Sequence, residues 1–139
     1  MNSISLIRSI LGAARGSILP LAYAVNVAAE RMFIDHVVED DLKLCEDVCR
    51  AAGKRLPGQP SAKAVTRQVE RTANRCWDKL VKEGKVKEYI GEQISDIDGP
   101  RMMVIYLATL AYFDKTYFEM VAECPEVFMG QLPSVPSLP

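Results

Sequence analysis

The chain is poor in the side chains from which active sites are usually built: it has one histidine, one tryptophan and four cysteines among 139 residues. It also lacks a dominant charge. A formal net charge of −1 and a sequence pI near 5.9 exclude a surface that coats nucleic acid or an anionic membrane as a whole, so charge-driven binding must be local. No stretch approaches the roughly eighteen uninterrupted apolar residues of a membrane span, because Arg8, Arg15, Glu30 and Arg31 punctuate the most hydrophobic part. The apolar run 4–11 has one charge before it and no signal-peptide cleavage pattern. The expected location is the cytosol, without membrane contact.

The scarce chemical residues are also scattered. Cys45 and Cys49 stand four apart and share a helix face, which suits two metal ligands, but no second cysteine or histidine pair completes a tetrahedral set. With Cys76 and Cys124 they are read as reduced thiols, and no metal or cofactor is expected. His36 lies beside Asp35 and one turn before Asp40, the makings of a dyad, yet a lone surface histidine near acids is the simpler reading. The serines Ser3, Ser5, Ser9, Ser17, Ser61 and Ser95 have no histidine placed by motif to activate them. Gly12 and Gly16 do not form the strand–loop–helix signature of a phosphate loop. No catalytic residue is assigned, and the chain is not expected to be an enzyme.

What is present is helical periodicity. Hydrophobic residues make up 49% of the chain, enough for one core, and nothing alternates with period two for long enough to suggest a sheet. Helices are expected over 3–14, over 18–32 with Pro20 in the first turn, and over 42–52, the last beginning behind the acids Glu39, Asp40 and Asp41 and stopped by Gly53. The segment 54–60, with Pro57, Gly58 and Pro60, reads as a turn. Ser61 then caps an uninterrupted helix running to Glu83, followed by a shorter helix over 85–94 and a final apolar one over 101–121. The fold class is all-α, a compact bundle of about six helices containing a helix-turn-helix-like pair. Residues 1–124 form one domain, and the Pro-rich tail 125–139 is expected to be extended or disordered.

One helix has two well-separated faces. Lys63, Arg67, Arg71, Arg75 and Lys79 recur at i, i+4, with Val65, Val69, Ala73, Cys76, Trp77 and Leu80 roughly opposite. Between residues 54 and 88 ten Lys or Arg face four Asp or Glu, a local excess of six in a nearly neutral chain. Neighbouring cations at i, i+4 repel by a few tenths of a kcal/mol per pair, a cost that a polyanion would offset. A solvated basic face is the plain alternative. The order of parts favours the polyanion: a shorter helix, a turn, then a longer cationic helix is the order in a helix-turn-helix, whose second helix enters the major groove. The 54–60 connection is longer than the usual turn.

The segment VTRQVERTANRCWDKLVKEG resembles a known family, the C-terminal effector domain of the stage-zero sporulation master transcription factor of endospore-forming bacteria. The family's recognition helix carries Ser-Arg-Val-Glu-Arg-Ala-Ile-Arg and an apolar stretch ending in Ala-Trp. Val69, Glu70, Arg71 and Trp77 match it, and upstream Leu11, Gly12, Gly16 and the Ala/Leu-rich helix keep the family order. The resemblance covers residues 5–84 and, weakly, the final helix. It implies a six-helix bundle that binds double-stranded DNA sequence-specifically, with Glu70 and Arg71 on the groove-facing side. The family arginine before the valine is Gln68 here, with Arg67 one place earlier, and the arginine after the motif is Asn74, with Arg75 one place later. The family's receiver domain has no counterpart in this chain, so control by phosphorylation is not carried over.

The expected function is transcriptional regulation through double-stranded DNA. An arginine of this helix can donate to guanine O6 and N7, Gln68 or Asn74 can pair with adenine, and Glu70 can accept from cytosine N4. Lys63, Lys79 and Lys82 suit phosphates. A second copy or another regulatory protein is the other candidate partner. The Met and aromatic side chains of the last helix, Met102, Met103, Tyr106, Tyr112, Phe113, Tyr117, Phe118 and Met120, suit core or a dimer face. The alternative function is therefore a non-catalytic protein-interaction module that uses this helix and no longer touches DNA.

Overall fold

The computed structural model describes residues 1–13 and 17–131, and every regular element among them is helical. Helix α1 spans Ser3–Leu11. Asn2 caps it by accepting from the Ile4 and Ser5 N–H groups at 2.8 and 3.2 Å. The helix buries Leu6, Ile7 and Ile10 and stops earlier than expected, at Gly12, whose φ of 68° no helix continues. Residues 14–16 lie outside the described residues. Helix α2, Leu19–Ala29, is apolar nearly all round and buried nearly all round, with Pro20 in its first turn. A π-helical turn, Glu30–Ile34, extends it.

The acids Glu39–Asp41 form their own 3-10 turn instead of leading a helix. The next helix starts later, as a π turn over Leu44–Cys49, where the Asp47 carboxylate accepts from the Lys43 N–H at 2.8 Å, and continues as α3, Arg50–Arg55. The expected stop at Gly53 is thus corrected. Gly53 sits inside the helix, where a Cβ would lie 2.6 Å from the Pro60 carbonyl oxygen, an approach that glycine alone allows. The helix ends at Leu56, extended as a residue before proline must be.

Helix α4, Ala62–Lys82, matches the expected span, with the Ser61 hydroxyl accepting from the Ala64 N–H at 3.2 Å. Helix α5 is only Val86–Ile90, ended by Gly91 at φ 104°. The single helix expected over 101–121 is two. Helix α6, Pro100–Phe113, ends at Asp114 in the left-handed region, and α7, Tyr117–Glu123, restarts at a capping box between Thr116 and Glu119. The start of the expected tail is also ordered: Pro125–Phe128 makes a 3-10 turn that buries Val127 and Phe128. Residues 132–139 lie outside the described residues.

Helices α2 and α6 form the central pair, and α4 packs on both, flanked by α1 and α3. The aromatic side chains of the C-terminal helices are largely consumed inside this core. Phe33 meets Phe113 at 4.7 Å between ring centroids, and Tyr106 meets Tyr117 at 5.0 Å.

Candidate nucleic-acid interface

The α4 face is built by burial on its opposite side. Val65, Val69, Thr72, Ala73, Cys76, Trp77 and Leu80 are buried, and this stripe determines which way every other α4 side chain points. Thr66 bonds back to the Ala62 carbonyl at 2.7 Å and stays at the flank. Lys63, Arg67, Gln68, Arg71, Asn74 and Arg75 are exposed. Lys63, Arg67, Arg71 and Arg75 make no ion pair among the described residues. Each four-residue step turns about 40° at 3.6 residues per turn, so the cationic row crosses the exposed face diagonally and Arg67, Arg71 and Arg75 face outward.

Two expected site residues sit differently. Glu70 is half-buried at the α3 edge, close enough to the Cys49 thiol to disfavour its ionisation. Lys79 is half-buried and paired with Glu83 at 3.1 Å, and Lys85 reaches the same carboxylate at 3.5 Å. The Lys79 hydrogen bond, above all, holds the Glu83 carboxyl below its ordinary range. Asp78, exposed on the same face, introduces an acid beyond the Arg75 turn. With Leu11, Arg75, Lys79 and Lys82 it borders a shallow hollow of about 330 Å³.

Helix α3 lies against the N-terminal half of α4 through Gly53, whose Cα faces Pro60 and Val65, and the π turn before it does so through Cys49, whose thiol contacts Thr66. The intervening turn contains two left-handed residues, Gly58 and Gln59. Arg50 and Lys54, each one position past these contacts, are exposed and make no ion pair among the described residues. Periodicity in the sequence does not single them out, because their place depends on how α3 packs.

The acidic turn does not cover this surface. Arg101 on α6 donates to the Glu39 and Leu42 carbonyls, the latter at 2.7 Å, and the Tyr117 hydroxyl donates to the Glu39 carboxylate at 2.5 Å. These bonds tie 39–42 to α6 and α7.

The remaining chemical candidates do not assemble. Asp35 pairs with Arg31 at 3.0 Å rather than with His36. Among the described residues no three His, Cys, Asp or Glu side chains come together as metal ligands. Burial pushes the Cys49 thiol up to about 11 and the Cys76 thiol up to about 12, so both stay protonated at neutral pH. No helix among the described residues is long and apolar enough to cross a membrane. No protein-family model, curated protein or solved structure matches the chain.

Proposed function

We propose that this chain is a double-stranded DNA-binding transcriptional regulator of the kind that the sporulation effector domains represent, with α4 as recognition helix. The observation that carries this reading is the exposed row Lys63, Arg67, Arg71 and Arg75, four cations with no carboxylate partner among the described residues. Like charges in sequence on one helix are unfavourable alone and become favourable against phosphate. Arg67, Gln68 and Arg71 lie in the N-terminal half of α4, the part of a recognition helix that meets base edges, and Asn74 follows just past its middle. Arg75 and Lys63 extend toward the backbones, and Arg50 and Lys54 add phosphate contacts from α3. Lys79 contributes less, since Glu83 neutralises it, and Glu70 acts mainly at the edge.

Fluorescence anisotropy with labelled duplexes, one of random sequence and one carrying a family-type site, tests this across a salt series. The expected result is a log affinity that falls linearly with log salt, with the slope reduced by about 1 in Arg71→Ala. Absence of binding to both duplexes at low salt overturns the proposal. The protein-interaction module then becomes the reading to pursue; the displaced family arginines at Gln68 and Asn74 are what favour it.

A further inference from the structure

A second surface shares no residue with the α4 face. One hollow of about 330 Å³ opens where the start of α1, the end of α2 with its π turn and the end of α6 meet, and Arg55 of α3 reaches it. Three large apolar side chains that the fold leaves open border this hollow: Met1, 56% exposed, Ile34, 55%, and Tyr112, 48%. Single exposed apolar groups are ordinary, whereas several around one recess mark an interaction surface. Ile34 closes the π turn Glu30–Ile34, a rare geometry that recurs at functional sites. Its neighbour Phe33 is buried against the Tyr112 ring at 5.3 Å between centroids, which holds Tyr112 in place at the rim.

The charges of this surface are balanced. Glu30, one turn before Ile34, holds Arg55 at 2.6 Å, and Asp35, next to Ile34, holds Arg31 at 3.0 Å. The Met1 amine and Asp114, 3.0 Å apart, add one charge of each sign. A partner of a single charge sign gains nothing here, because each attraction is matched by a repulsion. A second copy does gain. Across a two-fold axis every contact of residue i with residue j is matched by j with i, so Arg55 can face a carboxylate while Glu30 faces a cation. The α4 row, all of one sign, cannot face itself in this way.

The shape complements itself as well. Ile34 and Tyr112 stand beside a recess on the same patch, and a two-fold contact sets these side chains of each copy against the recess of the other. Aromatic and Met side chains, the kinds gathered here, are enriched at the cores of protein interfaces. The polar groups also match. Asn26, which lines the hollow, accepts from the Ser3 hydroxyl at 2.5 Å through Oδ1, which leaves its amide N–H groups to donate to the Tyr112 hydroxyl of a second copy.

We propose that a second copy of this chain docks on the patch around Ile34 and Tyr112, forming a two-fold dimer whose contact lies apart from α4. Sedimentation equilibrium of the full chain, from about 1 μM to about 1 mM, tests it without DNA present. The expected mass rises with concentration from the 15.4 kDa of one chain toward twice that value. Ile34→Asp should weaken dimerisation about tenfold or more, and Ile34→Ser, which adds no charge, should weaken it by less, each with the circular dichroism of the parent. In a mixture of labelled and unlabelled chains, isotope-filtered NMR should show cross-peaks between the Ile34 methyls of one copy and the Tyr112 ring of the other. A monomer throughout the range overturns the proposal, as it would if a different protein were the occupant. A dimer that both Ile34 variants leave unchanged, or whose intermolecular cross-peaks fall on α4, overturns it too.

Discussion

The Arg55 guanidinium holds the Glu30 carboxylate through two hydrogen bonds, 3.0 and 2.6 Å, joining the end of α3 to the end of α2. Next to it, Arg31 Nε donates to the Asp47 carbonyl at 3.3 Å, so the same two helical segments are tied twice. The Glu30 hydrogen bonds are the main reason the Arg55 guanidinium holds its proton more tightly than usual. Both side chains remain nearly half exposed, which limits the pair to about 0.5–1 kcal/mol despite its two-pronged geometry. A double-mutant cycle of Arg55→Ala and Glu30→Ala, read by urea unfolding, should give a coupling energy of that size that shrinks in high salt. Zero coupling at low salt would show that the pair contributes nothing.

Gly53 supports the junction of α3 and α4 from the other side. Alanine is the better helix former by up to about 1 kcal/mol, yet its Cβ would meet the Pro60 carbonyl oxygen at 2.6 Å and Val65 Cγ2 at 3.2 Å. Backbone cannot yield as a flexible side chain does, so Gly53→Ala is expected to destabilise by roughly 1–3 kcal/mol. The urea midpoint should fall with the m-value unchanged. A raised midpoint would mean that helix propensity wins and that the contact with Pro60 is loose.

These positions also mark how far the fold is legible in the sequence. Helix α4 could be read because its punctuation is local: a serine cap, one uninterrupted stripe from Val65 to Leu80, and a stop near Gly84. Gly53 reads as a stop by the same local logic, yet it lies within α3, and what demands glycine there is a tertiary approach to Pro60 that no local pattern encodes. The break after Phe113 had a local sign, since Thr116 and Glu119 are spaced as a capping box, but the apolar periodicity running through Tyr117 and Met120 masked it. In the tail, composition concealed the buried Val127 and Phe128, the latter packed against the rings of Phe33 and Tyr117. The α4 face was equally legible at its centre. Its edges were not, because whether Glu70 turns toward Cys49 and whether Lys79 meets Glu83 are decided by neighbours rather than by helical angle.

The bond from Tyr117 to Glu39 makes stability depend on alkaline pH. Burial first, and then the hydrogen bond and charge of Glu39, raise the phenol of Tyr117 well above its ordinary value of 10.0. The folded chain therefore keeps a proton that the unfolded chain releases, so stability is fully present below pH 10 and falls as pH rises from there. Cys49 and Cys76, raised from 9.0, act with the same sign from a lower starting point. Tyr117→Phe should cost about 1–3 kcal/mol at pH 7, where the charged acceptor loses its donor, and should flatten the part of the decline that lies above pH 10. An unchanged decline would assign it to the thiols alone.

Asp78 gives the DNA-binding proposal its most discriminating test, because it shares the exposed α4 face with Arg71 and Arg75 but carries the opposite charge. Against a duplex it repels phosphate; against an acidic or neutral protein partner it has no fixed sign. Asp78→Asn keeps the size and exposure of the side chain and removes the charge. If α4 lies along DNA, the variant should bind duplex several-fold more tightly at low salt, with a gain that fades as salt screens the interaction and a steeper salt slope than the parent. The change should be similar for random and family-type sites, since a phosphate-facing residue carries no sequence information. A gain confined to one sequence would place Asp78 at a base edge instead, and no gain at all would mean that the C-terminal half of α4 leaves the duplex before its fifth turn.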